Sequence, residues 1–173
     1  GTYGIEIEGI FNEESVKAIK QFTTKIVKVE NKDIFKLEDG TDSIYIKNDG
    51  NFITNVKDKM EVDDFIKELN LKGVEYEITK LTDTTKYIGT GTTIEVTING
   101  EKTTYTVVIF GDIDGDGRIR AADYNRIADH IMEVNLITNA ASLQAADIDQ
   151  NGRIRAADYN RIADNIMEAN LIN

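Results

Sequence analysis

The stretch Asp112–Thr138, DIDGDGRIRAADYNRIADHIMEVNLIT, recurs at Asp147–Asn173 as DIDQNGRIRAADYNRIADNIMEANLIN. The offset is 35 residues, and 22 of the 27 positions are identical. Each copy opens with acids at alternate positions and a glycine at the sixth. A short loop that wraps oxygen ligands around a hard divalent cation has this pattern, with ligands at positions 1, 3, 5, 7, 9 and 12 and Gly at 6 for the sharp turn. In copy one the ligand set is Asp112, Asp114, Asp116, the Arg118 carbonyl and Asp123, with Gly117 at the turn. In copy two it is Asp147, Asp149, Asn151, the Arg153 carbonyl and Asp158, with Gly152 at the turn. So many carboxylates in one loop repel each other strongly unless a cation lies among them. Two Ca2+ ions are therefore expected. Position 9 is Arg120 or Arg155, which cannot ligate, so water is expected at that vertex. Loop one offers four carboxylates and loop two three, so loop one is expected to bind the more tightly.

A helix follows each loop, at about Ala121 to Glu133 and Ala156 to Glu168. Tyr124, Ile127, Ile131 and Tyr159, Ile162, Ile166 are spaced to face inward. A full EF-hand has a helix before its loop as well. Here Tyr105 to Phe110 alternates like a strand and runs straight into Gly111-Asp112. Such half-sized units bury little surface by themselves, so calcium is expected to supply much of their folding free energy.

The remaining residues, 1–110, have a different composition. They hold all fourteen lysines, twenty acids and no arginine, whereas residues 111–173 hold six arginines, eleven acids and no lysine. A boundary between two units is expected near Gly111. The net charge of −11 argues against nucleic acid or an anionic membrane as partner. With no cysteine, disulfides, zinc–thiolate sites and thiol nucleophiles are excluded. No apolar run reaches the ~18 residues of a membrane-spanning helix. The start at Gly1 reads as an excised fragment.

Residues 1–110 read mainly as strands. Asn99-Gly100, between TIEVTI and EKTTYTVVIF, signals a tight hairpin. Asp39-Gly40 and Asp49-Gly50 mark turns around IFKL, SIYI and NFITNV. A helix is expected at Val62 to Asn70, where Val62, Phe65, Ile66 and Leu69 recur at helical spacing, and a weaker one at Glu13 to Phe22. The fold class is α+β: a β-rich module with one or two short helices, then an α-helical unit. The β-rich module has no histidine and no compact nucleophile–base pattern, so no catalytic site is expected in it. Its paired acids Asp63 and Asp64 suit the start of a helix.

The signatures GDIDGDGRIRAAD and ADIDQNGRIRAAD, each followed by one helix and separated by a short linker, resemble a type I dockerin over about residues 111–173. The stretch from Thr90 to Gly117 is also similar, more loosely, to β-rich X-type modules that precede dockerins, and a rigid junction at Phe110-Gly111 is expected. The dockerin resemblance implies a non-catalytic plug for the cohesin module of a scaffold protein. In that family the contact falls on loop positions 10 and 11 and helix positions 17, 18 and 22. The resemblance places it here on Ala121, Ala122, Ala128, Asp129 and Glu133, and on Ala156, Ala157, Ala163, Asp164 and Glu168. The family's usual Ser-Thr pair at positions 10 and 11 is replaced by two alanines, which suggests a separate specificity group.

The two contact sets match pairwise, so the module is expected to present one surface twice and to engage a cohesin in two orientations. The resemblance further implies a secreted or cell-surface parent protein, monomeric when free, in which a carbohydrate-active enzyme is the expected companion. The competing function is a calcium-stabilised structural or adhesive segment. His130 becomes Asn165 in copy two, which argues for a surface role rather than a ligand. Arg126 and Arg161 are expected to pair with nearby acids, with a partner's acids, or simply with solvent.

Overall fold

The computed structural model describes residues 45–47, 51–69, 71, 74–82 and 86–172. The helix expected at Glu13–Phe22, the strand at 34–37 and the turns at Asp39-Gly40 and Asp49-Gly50 lie outside the described residues.

Among the described residues, five strands form one sheet: β1 (Tyr45–Lys47), β2 (Phe52–Thr54), β3 (Glu75–Thr79), β4 (Thr93–Ile98) and β5 (Glu101–Val107), in the order β1-β2-β5-β4-β3. The β4–β5 hairpin closes at Asn99-Gly100, where φ is 53° and 82°, and Ile98 pairs with Glu101. Two residues that tolerate positive φ therefore fix the register, as the sequence indicates. Ile94 lies opposite Tyr105 across that ladder, and both are buried with Val96 and Val107 on one face. Helix α1 (Val62–Glu68) covers this face through Phe65, with Ile53 and Ile88 completing the core. The helix is shorter than expected, because Leu69 takes an extended conformation (φ −89°, ψ 141°).

The C-terminal unit holds helices α2 (Ala121–Ile131), α3 (Ala140–Ala146) and α4 (Ala156–Ile166). The segment between the repeats, expected as a plain linker, is helical over Ala140–Ala146. Asn139 caps α3, its side-chain oxygen accepting from the N–H of Ala141 (2.9 Å) and Ser142 (3.1 Å), and the alanine-rich AASLQAA that follows is a good helix former.

Helices α2 and α4 pack through Ile127 and Ile162, both fully buried, each stabilising the fold by roughly 1.5–3 kcal/mol. Beside them the rings of Tyr124 and Tyr159 meet at 4.1 Å between centroids, and their hydroxyls are hydrogen-bonded. Like residues of the two repeats thus meet each other.

The two units share a core where the chain crosses between them. Successive residues of an extended segment point to opposite faces. Val107 faces the β-rich core, and Val108 faces Ala141 and Ala145 of α3, with Phe52 and Phe110 alongside. The Gly111 N–H donates to the Ala145 carbonyl at 2.9 Å, which ties the crossover to α3.

Candidate metal centres and docking face

In loop one the carboxylate oxygens of Asp112, Asp114 and Asp116 converge to within 4.8 Å of one another. Asp112 and Asp116 are buried and Asp114 is half-buried. Asp112 accepts three main-chain N–H bonds, from Gly115 (3.0 Å), Gly117 (3.1 Å) and Thr90 (2.8 Å). Burial pushes its carboxyl up to about 7, and the bonds from Thr90 and Gly117 only partly offset that. Asp114 is raised by burial and then by the charge of Asp116. Arg118 lies 3.1 Å from Asp116, and Arg120 reaches both Asp116 and, at 3.4 Å, Asp114. An all-oxygen donor set in which Asp112 and Asp114 are held above their usual range by desolvation fits a hard divalent cation, which supplies the missing charge when bound.

Asp123, at position 12, ties the loop to α2. Its oxygens accept from the N–H of Ile113 (2.7 Å), Asp114 (3.1 Å) and Arg120 (3.0 Å), and burial pushes its carboxyl up to about 6. Asp158 repeats this with Ile148 (2.9 Å), Asp149 (3.2 Å) and Arg155 (2.9 Å). In loop two it is Asp147, Asp149 and Asp158 whose oxygens converge within 4.8 Å. Asn151 turns its amide to Asp149 (2.6 Å). The loops also differ in cover. Gly115, Asp116 and Gly117 are buried, whereas Gln150, Asn151 and Gly152 are exposed.

The residues expected to touch a partner lie on α2 and α4 or, for Glu133 and Glu168, just past their C-caps. Ala121, Ala122, Glu133 and their counterparts Ala156, Ala157, Glu168 are exposed. Ala128, Asp129, Ala163 and Asp164 are half-buried, so the two aspartates are less solvated than expected. Glu133 and Glu168 both sit in the left-handed region, with φ of 57° and 55°, one residue past the helix C-caps. A non-glycine residue there costs roughly 1–2 kcal/mol, and strain of this kind concentrates at functional positions.

The sequence reading placed Ile131 and Ile166 inside. They are 38% and 41% exposed, because each is the last residue of its helix, where the packed face runs out. Met132 and Met167 beside them are 63% and 67% exposed. Ala128, Ile131 and Met132 of repeat one line an apolar groove of about 290 Å3 with Ala156 and Tyr159 of repeat two. At the other end, Ile166, Glu168 and Leu171 face Ala121 across a wider groove of about 660 Å3, whose rim includes Lys57, Asp58 and Lys59. The repeated Ile-Met pair was the sequence signal for these surfaces, since Met often serves adaptable contacts.

His130 and Asn165 do the same local task. His130 Nδ1 accepts the Ile137 N–H at 3.0 Å, and Asn165 Oδ1 accepts the Ile172 N–H at 2.8 Å. Arg126 donates to the carbonyls of Asn135 (2.7 Å) and Leu136 (3.0 Å) rather than pairing with Asp129 or Glu133.

Two loop–helix halves, each closing an acidic cluster able to hold a metal ion and each carrying the same residues on its helix, form a duplicated unit. Residues 110–167, about one third of the chain, match the family model of the dockerin type I domain, with the β-rich unit before the match. Dockerin domains are non-catalytic and dock on cohesins in a calcium-dependent way. No curated protein matches the chain. No helix of the described residues is long and apolar enough to cross a membrane.

Proposed function

We propose that residues 111–173 bind a cohesin module and hold a secreted parent protein, carrying a carbohydrate-active enzyme, on a scaffold or cell surface. Two calcium ions brace the docking face, one held by Asp112, Asp114, Asp116, Asp123 and the Arg118 carbonyl. The second is held by Asp147, Asp149, Asn151, Asp158 and the Arg153 carbonyl. The contact is carried by Ala121, Ala122, Ala128, Asp129 and Glu133 in one orientation. Ala156, Ala157, Ala163, Asp164 and Glu168 carry it in the other.

One observation supports this reading most. Each acidic cluster runs into a helix that carries the same residues in both repeats, and the two helices meet at Tyr124 and Tyr159. Folding alone has little need to keep two solvated faces alike. Pull-down with a panel of cohesins, with and without EDTA, tests the reading. Capture that needs calcium is expected. No capture by any cohesin class leaves a calcium-stabilised structural segment as the better description.

A further inference from the structure

Loop one is walled in by the β-rich module. The Lys59 N–H donates to the Gly117 carbonyl at 2.7 Å, and the Thr82 hydroxyl donates to the Asp114 carbonyl at 3.1 Å. The Thr90 N–H bonds Asp112, while its hydroxyl bonds both the N–H (3.0 Å) and the carbonyl (3.2 Å) of Ile109. The backbones meet with no room for side chains. A Cβ on Gly89 would lie 2.0 Å from the Gly115 carbonyl oxygen, and one on Gly115 would lie 2.5 Å from that of Thr90. At loop two the turn glycine Gly152 has nothing within 4 Å of its Cβ direction.

The sequence difference between the copies falls at this contact. Position 4 is Gly115 in the walled loop and Gln150 in the open one. Gln150 adopts φ 57°, so the loop itself accepts a side chain there. What excludes one at Gly115 is the neighbouring module.

We propose that the β-rich module is a structural part of the first calcium site alone, with Thr90 as a positioning residue that holds Asp112. Calcium binding at loop one and docking of that loop against residues 86–92 are then one coupled equilibrium, and loop two binds independently. The coupling is reciprocal, as linkage requires: a better-seated module tightens site one, and cation at site one tightens the module's seat. The inference rests on the calcium reading proposed above.

The test uses the full chain and calcium alone, with no cohesin present. Gly115→Gln, which copies loop two into loop one, is expected to weaken one of the two calcium binding events about tenfold in calorimetry and leave the other in place. Hydrogen exchange supplies a readout independent of that variant. In the unmodified chain, calcium should slow exchange at residues 86–92. Asp147→Asn should retain that protection, and Asp112→Asn should lose it. Both calcium affinities unchanged in Gly115→Gln, or exchange at 86–92 indifferent to calcium, would overturn the coupling. Absence of calcium binding at either site would instead overturn the functional reading beneath it.

Discussion

Loop one and loop two share ten of their twelve residues, yet one is enclosed by a neighbouring module and the other faces water. The same ligand pattern therefore operates in two dielectric settings. Asp112 accepts three main-chain N–H bonds, one of them from outside its own repeat. Asp147 accepts bonds from the N–H groups of Asn151 and Gly152, both exposed residues of its own loop. A repeat fixes the local geometry of a site, but the energy of that site depends on what the rest of the chain places against it.

The sharpest way to break this comparison is to delete the first ligand of each loop. Asp112→Ala leaves three N–H groups without their acceptor in an enclosed site, at a cost of about 1–3 kcal/mol for each unsatisfied group. A loss of about 4 kcal/mol is expected, against about half that for Asp147→Ala, where the two N–H groups left without an acceptor belong to exposed residues. Urea unfolding in saturating calcium measures both. Each variant forfeits one charge from its own site, so the difference reports the burial. Equal losses would show that enclosure contributes no energy.

The proposed docking face offers the next test. Changing both alanine pairs, Ala121-Ala122 and Ala156-Ala157, to arginine should weaken cohesin binding about a hundredfold or more, roughly 2.7 kcal/mol. Changing either pair alone should cost less than about threefold if both orientations are open, since the intact end takes over. The β-rich module sharpens this, because Lys57, Asp58 and Lys59 border the groove at the Ala121 end and not the one at the Ala156 end. Unequal single-pair effects would mean that the module favours one orientation. Surface plasmon resonance against one cohesin distinguishes the outcomes.

What could be read in the sequence divides along the same line. The convergence of loop acids, the exit helices, the Asn99-Gly100 hairpin and the inward Ile127 and Ile162 follow from local spacing. Local spacing survives folding because turns and helices are decided within a few residues. Three features were not local. Helix α3 depends on an Asn139 cap and on burial of Ala141 and Ala145 against Val108, a residue of the other unit. Exposure of Ile131 and Ile166 depends on where each helix stops. The wall around loop one depends on residues 22 positions away in sequence, as in the Thr90–Asp112 bond. A hint was present, since Gly115 against Gln150 marks the loop that needs close approach, though nothing in the sequence named its neighbour.

A charge exchange between the loops separates enclosure from ligand count. Asp116→Asn should weaken calcium at loop one, and Asn151→Asp should strengthen it at loop two, each by about tenfold, because carboxylate number tunes affinity in such loops. Calorimetry on the two single variants is the measurement. Arg118 and Arg120 lie on Asp116 and Asp114, so loop one's fourth carboxylate is partly neutralised from within. If loop two proves the tighter site in the unmodified chain, those arginines outweigh the extra charge, and the expectation from carboxylate count is wrong.

The smallest effect concerns a position where the repeats differ without consequence. His130 and Asn165 each present a lone-pair acceptor to an N–H seven residues onward, at 3.0 and 2.8 Å. For Nδ1 to accept, the imidazole proton must sit on Nε2, the one tautomer that imitates the Asn carbonyl. His130→Asn should therefore change stability by less than about 0.5 kcal/mol, within the range of ordinary surface substitutions. His130→Leu keeps the bulk but removes the acceptor, leaving the N–H of Ile137, a buried residue, unpaired at a cost of about 1 kcal/mol or more. Thermal unfolding of the pair reads the difference directly. A loss in His130→Asn as large as in His130→Leu would mean that the imidazole has a task the second repeat does not share. The two repeats would then differ in their helices as well as in their loops.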